Sequence, residues 1–303
     1  MPPRVALLVV NYFSSESVRS LITSLEGRTD HVELHVVIVD NSCDAEEWSR
    51  LSAVAESCAL SSDVLGLVRS ESNLGYAGGN NLAYRSCRDW KPDSVFVINP
   101  DVTLADGTLL DAAEQIAANG KTLFGARTRK PRGDAGLWTM RRWDGRTREM
   151  AASESARDQP PITYPSGHLI AASAQTWEML AGFSEDFFLF SEEVDLVLRA
   201  RQFGAEVGLL TAFDVHHEVG LTTGSSTTLE RRSITTYFHA SRSRIILYRK
   251  HRSLKPFLVS ALIARTAWSL LVQIRVGRDA GTAVRRGIRA GLRERLTAGG
   301  SSR

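Results

Sequence analysis

The chain has 303 residues, 43% hydrophobic and 23% charged, which is the composition of an ordinary globular protein. This length supports a substantial core in one large domain or two. Three cysteines, none of them in a Cys-x-x-Cys pair, exclude a disulfide scaffold and a zinc knuckle and favour a reducing compartment. The apolar run at residues 5–10 is short and has no cleavage site, so we interpret it as a first strand and not as a signal peptide.

The net charge of +3 is unevenly distributed along the chain. Residues 226–303 contain 17 Lys or Arg and 3 Asp or Glu, a net charge of +14, whereas residues 1–225 contain 20 basic and 31 acidic side chains, a net charge of −11. A strongly basic segment next to an acidic body indicates an anionic partner, which is a membrane, a nucleic acid or a polyphosphate. The segment has no recognisable nucleic-acid module, so we expect no nucleic-acid partner.

Strand and helix patterns alternate over the first half of the chain. Apolar runs predict strands at residues 4–10, 33–40, 63–70, 94–99 and 122–127, with helical patterns between them at residues 17–27, 78–87 and 106–120. The strands are continuously apolar, which is typical of a mainly parallel sheet covered on both faces. We therefore predict an α/β fold whose ligands bind beyond the carboxyl ends of the strands.

Polar residues follow each of the first four strands. They are Asn11 and Tyr12, then Asp40, Asn41 and Ser42, then the stretch ESNLGYAGGNN, and finally Asn99, Pro100 and Asp101. A single polar strand end is typical of a turn or a helix cap, but four at one edge favour a ligand site. The first strand has no Gly-rich turn after it and the chain has no P-loop lysine motif, which excludes two common nucleotide-binding units.

Residues 130–165 depart from this pattern, and a hairpin is one interpretation of them. Trp138 and Trp143 are placed near its tip, where they either cover an edge of the core or stack on a sugar or lipid acceptor. The core resumes in the segments that follow, which are an apolar segment at residues 166–173, a helix at 192–204 and a strand at 205–220.

The basic segment contains an apolar stretch at residues 256–277, which Arg265 and Arg275 interrupt. Its uncharged parts are far shorter than the roughly 20 residues that cross a bilayer. The basic, weakly amphipathic residues that follow favour a helix lying on an anionic membrane surface. The alternative is a helical cap on the protein's own core or at a dimer interface. We accordingly divide the chain into a domain at residues 1–225 and a basic helical extension at residues 226–303.

Seven motifs in the first 225 residues follow the order typical of one enzyme family. They are VVNY, VIVDNS, NLGYAGGNN, INPDV, SGHLI, GFSEDFFLFSEEVDLVLRARQFG and HHEVG. Through them, residues 4–225 resemble the inverting nucleotide-sugar glycosyltransferases of family 2, which have the GT-A fold. NLGYAGGNN and NPDV look most like the rhamnosyltransferases that use dTDP-L-rhamnose.

The resemblance implies nucleotide-binding roles for the strand ends. Asn11 and Tyr12 match the strand end that lines the nucleoside pocket, and Asp40 matches the carboxylate that accepts the N3–H of a uracil or thymine base. Further strand-end, loop and helix-start residues that match the nucleotide site are Asn41, Asn73, Gly75, Gly78, Gly79, Asn80 and Asn99. Glycines in this loop would let the backbone approach a ligand closely.

The resemblance also implies a site for a divalent cation, Mg²⁺ or Mn²⁺. Asp101 matches the final acid of the family's Asp-x-Asp motif, and His217 matches the histidine that completes the metal site in some relatives. Such a cation neutralises the charge that develops on a leaving diphosphate. Because Asn99 takes the place of the first acid of the motif, we expect low metal affinity before the nucleotide binds.

Glu193 matches the catalytic base of the family, which takes the proton of the acceptor hydroxyl. Its neighbours Glu192 and Asp195 either orient the acceptor or cap the helix, and Gly167 and His168 match the acceptor region. Apart from the resemblance, the three acids are ordinary helix-start residues. Many relatives have Asp at the base position, so Glu lengthens the reach by one methylene.

The resemblance thus implies an inverting transferase that moves L-rhamnose from dTDP-L-rhamnose to a hydroxyl of a glycan, glycolipid or small-molecule acceptor, in cell-wall or polysaccharide biosynthesis. The alternatives are a family 2 transferase that uses UDP-hexose or UDP-galactofuranose, and a non-catalytic nucleotide-sugar-binding protein. We expect a cytoplasmic protein that is peripheral at the inner face of the cell membrane. Whether the acceptor is lipid-linked and whether the protein forms a homodimer stay open.

Overall fold

The computed structural model of the protein describes residues 1–131, 134–151, 161–217 and 228–297. Its strands are β1 Arg4–Asn11, β2 Glu33–Asp40, β3 Leu65–Arg69, β4 Ser94–Ile98, β5 Val102–Gly107, β6 Thr122–Thr128, β7 Ala135–Met140, β8 Thr147–Ala151, β9 Ile162–Tyr164, β10 Leu169–Ser173 and β11 Glu206–His217. Its α-helices are α1 Ser15–Ser24, α2 Ala45–Ser57, α3 Gly75–Cys87, α4 Leu109–Ala118, α5 Ala174–Met179, α6 Glu192–Ala200, α7 Ile234–Lys250, α8 Leu258–Arg275 and α9 Arg278–Arg293.

One sheet joins these strands, with the main order β3-β2-β1-β4-β10-β6-β11-β5. The pairs β3–β2, β2–β1, β1–β4 and β6–β11 are parallel, whereas β10 and β5 run antiparallel to strands beside them. The predicted α/β fold with a mainly parallel sheet is thus confirmed. Strand β5 was not predicted, because it is a short edge strand that contains buried and partly buried residues and ends directly before the cap of α4.

Both faces of the sheet are covered, which explains why its strands are continuously apolar. In β1, Val5 and Val9 pack in a core with residues of α1, α2 and α4, whereas Ala6 and Leu8 pack in a second core with residues of α3 and α6. All four of these strand residues are fully buried. Helix α4 begins with a capping box in which Thr108 and Asp111 satisfy each other's backbone N–H groups.

The excursion after β6 contains the β7–β8 hairpin; its residues 132–133 and 152–160 lie outside the described residues. Trp138 lies within β7, opposite Tyr164 of β9, and packs against the core, so the structure supports the core-edge alternative for it. Trp143 lies in the hairpin turn, is 52% exposed and has the guanidinium of Arg141 over its ring. Only Trp143 is therefore near the tip.

Helix α7 follows the predicted boundary at residue 225 and yet belongs to the core beneath the sheet. Ile246, Leu247 and Tyr248 are fully buried in the same cluster as Ala6 and Leu8. Helix α9 packs closely on α7, because its glycines leave room for the backbone of the neighbouring helix. The division of the chain at residue 225 stays a prediction, but α7 cannot be separated from this core without exposing apolar surface.

Among the described residues, one helical segment, Lys255–Arg275, is long enough and apolar enough to cross a membrane. It has 21 residues, and a window of 18 of them has a mean hydropathy of 1.6. The uncharged parts of this segment are short, as the sequence indicates, but the helix continues through Arg265, whose guanidinium lies over Trp268. The predicted position on a membrane surface stays a prediction. Length and composition alone do not place the segment in a membrane.

Candidate active site

Asp101 and His217 lie next to each other beyond the carboxyl end of β4. A turn, closed by a hydrogen bond from the Val102 N–H to the Asn99 carbonyl, places Asp101 directly before β5. Strand β11 pairs with β5 so that His217 is opposite Val102. As a result, Nε2 of His217 lies 3.4 Å from Oδ1 of Asp101. The structure thus brings together the two residues predicted as metal ligands.

The chemistry of this pair fits a divalent cation. Asp101 is buried and its Oδ1 atom has no hydrogen-bond donor among the residues that the structure describes, a costly state for a carboxylate unless a cation satisfies it. A carboxylate beside an imidazole suits Mn²⁺ better than Mg²⁺. In the part of the chain that the structure describes, no group of three or more His, Cys, Asp or Glu side chains surrounds a metal position. Phosphate oxygens and water could fill the coordination positions that Asp101 and His217 leave open.

His168 supports His217 from the side. The two rings are stacked with centroids 4.5 Å apart, and Nε2 of His168 lies 2.9 Å from Oγ1 of Thr128. Burial, with a smaller effect of the neighbouring His217, lowers the pKa of His168 well below its usual value. A neutral His168 packed in this way orients the His217 ring, and its predicted place in the acceptor region stays a prediction. The last three residues of the HHEVG motif, 218–220, lie outside the described residues.

Glu192 and Glu193 are the first two residues of α6, directly after two residues with strained backbone. Phe190 and Ser191 both have left-handed backbone, with φ of 69° and 70°, a state that is costly and concentrates at functional sites. Glu192 is buried, whereas Glu193 keeps an exposed part. Burial raises the pKa of Glu193, and backbone N–H groups and the Arg244 charge offset part of this rise. Glu193 therefore combines access to solvent with increased basicity.

Glu192 is suited to a different role. Burial, followed by the charge of Glu193, raises the pKa of Glu192 well above its usual value, and no described residue forms a hydrogen bond with its Oε2 atom. These surroundings favour the protonated form, which carries no charge. A neutral Glu192 leaves Glu193 as the carboxylate that can accept a proton.

Gly167 connects the acids of α6 to the histidine pair. A Cβ atom at residue 167 would collide with the Glu193 carboxylate, so glycine is required for their close approach. The Tyr76 hydroxyl donates a hydrogen bond to the Gly167 carbonyl from α3 and fixes the segment on its other side. The next residue, His168, faces His217. Tyr76 was missed by the sequence analysis, although it is the one aromatic residue of the NLGYAGGNN motif.

Asp195 is enclosed by cationic side chains of the protein, and its predicted role, orienting the acceptor or capping the helix, stays a prediction. It is fully buried, and its carboxylate is bound by Arg199 at 2.8 Å and by His251 at 2.8 Å, with Lys250 at 3.9 Å. Burial alone would raise its pKa, but the hydrogen bond from His251 and the charges of Arg199 and Lys250 hold the pKa of Asp195 below its usual value. Asp195 therefore joins α6 to α7.

The ends of β1 and β2 form a buried polar cluster. The Asn11 amide donates to Asp40 at 3.1 Å and to Glu47 at 3.0 Å, and Asp40 also accepts from the backbone N–H and the hydroxyl of Ser42. Tyr12 is 40% exposed beside this cluster. Glu47 was missed by the sequence analysis, because an acid in the first turn of α2 is indistinguishable from an ordinary helix-start acid.

The loop before α3 is shaped mainly by internal packing. The Asn41 side chain donates to the Gly75 carbonyl at 2.8 Å, and Asn73 accepts from the Gly75 N–H at 2.9 Å. At Gly75 (φ +70°), a Cβ atom would collide with Phe188. At the other two predicted glycines it would meet close protein atoms, those of Leu74 for Gly78 and those of Val10 and Asn41 for Gly79. Close packing against neighbouring protein atoms thus accounts for these three glycines, and their predicted part in ligand approach stays a prediction.

Asn80 and Asn99 are the remaining predicted nucleotide-binding residues. The Asn80 amide donates to the Tyr76 carbonyl at 2.9 Å, and its buried Oδ1 atom has no partner among the described residues. Asn99 is half-buried, and its backbone N–H donates to the His168 carbonyl at 2.9 Å. Asn99 therefore ties the turn that carries Asp101 to the segment that faces Glu193.

With this fold and this site, the chain belongs to the glycosyl transferase family 2, whose family model matches residues 6–212. A curated relative is the low-salt glycan biosynthesis hexosyltransferase Agl10 of Haloferax volcanii. The alignment is 222 residues long with 24% identity, and it covers 70% of this chain and 66% of Agl10, just under two thirds of its length.

Solved structures share the fold at low sequence identity. GalNAc-T7, crystallised with UDP, GalNAc and Mn²⁺, is 14% identical with a TM-score of 0.57, and the match covers 80% of this chain and 50% of that one. The mannosyltransferase PcManGT of Pyrobaculum calidifontis, in complex with GDP-Man and Mn²⁺, is 16% identical with a TM-score of 0.56, and the match covers 96% and 81%. These similarities concern the GT-A fold.

Proposed function

We propose that the protein is an inverting glycosyltransferase that moves a sugar from a nucleotide-sugar to a hydroxyl group of a glycan or lipid-linked acceptor. The observation that carries this proposal is that two consecutive residues adjoin both parts of the site. Gly167 lies against the Glu193 carboxylate, and His168 stacks on His217, which lies beside Asp101. A base and a cation-binding pair at one edge of the sheet are the two parts that this transfer needs.

In the proposed reaction, the bond between the sugar C1 and the diphosphate oxygen breaks while a bond from the acceptor oxygen to C1 forms on the opposite face. Glu193 takes the hydroxyl proton, and the electron pair of the broken bond leaves with the nucleoside diphosphate. Asp101 and His217 would hold the divalent cation, which when bound neutralises the charge of the diphosphate. Glu192, in its neutral form, adds no second negative charge next to the base.

The nucleoside would bind over the ends of β1 and β2. Asp40 and Asn11 form the buried floor there, and the exposed ring of Tyr12 borders it. Asn41 and Asn73 hold the loop before α3 that closes this pocket. Asp40 suits the N3–H of uracil or thymine because its carboxylate is held at the strand end by two neighbouring side chains.

We propose dTDP-L-rhamnose as the donor, which the likeness of NLGYAGGNN and NPDV to rhamnosyltransferases supports. Agl10 is a hexosyltransferase, and the two solved structures contain UDP and GDP-Man, so UDP-hexoses, UDP-galactofuranose and GDP-sugars remain competing donors. A thermal-shift screen of these nucleotide-sugars, each with Mn²⁺ and with Mg²⁺, separates them. The largest rise in melting temperature should come from dTDP-L-rhamnose, and a larger rise with a UDP- or GDP-sugar would replace it as donor.

Catalysis is tested with the donor so found, by measuring nucleoside diphosphate release and the anomeric configuration of the product. General-base removal costs about 10²- to 10⁴-fold in rate, so Glu193→Gln should lose turnover while donor binding survives. Glu46→Gln, at another exposed helix start, is the matched control. Near wild-type turnover by Glu193→Gln would exclude Glu193 as the base, and donor binding without transfer or hydrolysis in the wild type would favour a non-catalytic protein.

A further inference from the structure

Helix α8 has an apolar face that the protein itself does not cover. Val259, Ile263, Leu270 and Ile274, here named the apolar stripe, follow one another at intervals of four, seven and four residues, so they share one side of the helix. They are 68%, 66%, 56% and 81% exposed, respectively. The opposite side packs on the protein through Ala261, Ser269 and Val272, which are fully buried. A row of large exposed apolar residues on one helix face is typical of an interaction site.

Arginines border this face on helix α9. Arg285 donates from its guanidinium to the Gln273 side chain of α8 at 2.8 Å, so it marks the side of α9 that adjoins α8. Arg278 and Arg289 lie seven residues before and four residues after Arg285, and they therefore share its side of the helix. These three arginines are here named the basic stripe. Helix α8 itself contains no Asp or Glu.

The β7–β8 hairpin adds an aromatic residue at one end of the apolar stripe. Ser260, next to Val259, donates a hydrogen bond to the Trp143 carbonyl, and the Tyr248 hydroxyl donates to the Arg142 carbonyl. The turn is thus fixed to both α7 and α8, with the Trp143 ring exposed. Tryptophan is enriched where apolar and aqueous environments meet.

We propose that the apolar stripe, the basic stripe and Trp143 form a docking surface for an anionic lipid bilayer, on which α8 lies in the plane of the interface. Exposed apolar residues enter the boundary of the acyl chains while arginines bind lipid phosphates. Charge complementarity favours this occupant over a second copy of the chain, because a two-fold contact through α8 would bring two basic stripes to one interface. The packed side of α8 favours a helix on the membrane over one that crosses it. This proposal does not depend on the proposed function.

The test is co-sedimentation of the full chain with vesicles of phosphatidylcholine alone and with added phosphatidylglycerol. The triple variant Ile263→Gln, Leu270→Gln, Ile274→Gln should weaken vesicle binding by about tenfold or more. Its matched control is Met179→Gln with Phe203→Gln, which alters exposed apolar residues outside the docking surface. All replaced side chains are exposed, and an unchanged melting temperature checks that the variants fold.

The variant Arg278→Gln, Arg289→Gln should lower binding to the anionic vesicles by about tenfold and leave binding to neutral vesicles nearly unchanged. Arg19→Gln with Arg88→Gln is its control. Equal binding by the wild type and the triple variant would overturn the proposal. It would also be overturned by a wild-type dimer that the triple variant dissociates, or by membrane-bound protein that resists alkaline carbonate extraction as a spanning helix does.

Discussion

The Nε2 atom of His251 lies 2.8 Å from Oδ1 of Asp195. His251 caps the end of α7, and Asp195 lies in the first turn of α6, two residues after Glu193. Lys250 adds a second connection, with its Nζ atom 2.6 Å from Oδ2 of Asp186 in the segment before α6. The position of Glu193 therefore depends on contacts from a helix that lies beyond residue 225.

We expect Asp195→Asn to lower the free energy of unfolding by about 3–5 kcal/mol, because it leaves the charge of Arg199 buried without its partner. The change is measured by urea denaturation. Glu46→Gln is the control, since it removes an exposed ion pair with Arg50, which costs at most about 1 kcal/mol. If the two variants are equally stable, the buried ion pairs do not fasten α6 to α7.

Removing either predicted metal ligand should make donor binding insensitive to Mn²⁺. Asp101→Asn and His217→Gln should each weaken nucleotide-sugar binding in Mn²⁺ by about tenfold or more, because each removes a ligand that substrate phosphates cannot replace. Calorimetric titration with and without Mn²⁺ measures the effect. His216→Gln is the control, because His216 is exposed on the other face of β11. Identical wild-type affinity with and without Mn²⁺ would contradict the site.

Gly167→Ala should impair turnover more than it impairs binding or folding. The added Cβ atom displaces the Glu193 carboxylate, and a displacement of this kind costs about 100-fold in kcat. Turnover, donor affinity and melting temperature are measured together. Gly120→Ala introduces a Cβ atom into open space and should leave turnover unchanged. Wild-type kcat in Gly167→Ala would show that the carboxylate does not need its present position.

The pH dependence of kcat/KM should have an acid limb above the usual glutamate pKa of 4.5. Burial raises the pKa of Glu193, a base must be unprotonated, and activity therefore rises as pH increases through this raised value. The Arg244 charge lowers the same pKa, so Arg244→Gln should move the acid limb to higher pH. Arg88→Gln, far out on the surface, is the control. A limb that stays in place or moves to lower pH in Arg244→Gln would contradict this assignment.

The parallel part of the sheet was predictable because its determinants are local. Strands buried on both faces are continuously apolar, and the polar residues at their ends mark the ligand edge. The pairing of Asp101 with His217 followed from the motif order and could not have come from spacing, since β11 reaches β5 only through the sheet.

Other features depend on partners that are distant in sequence. Asp195 and Glu193 are both acids at a helix start. Contacts with His251 and Lys250, which are distant in sequence, identify Asp195 as a buried structural acid and leave Glu193 as the candidate base. The place of α7 in the core was equally hard to predict. Its sequence mixes buried apolar residues with arginines, and these bind backbone carbonyls of neighbouring segments. Neither pattern is visible in a window of local sequence.

The burial of Ile246, Leu247 and Tyr248 beneath a sheet that begins at Arg4 affects how the chain matures during synthesis. A core that joins such distant residues has a high contact order, which slows folding. This face of the sheet cannot be fully buried until α7 has left the ribosome. Until then the nascent strands would expose apolar surface and depend on chaperones for protection from aggregation.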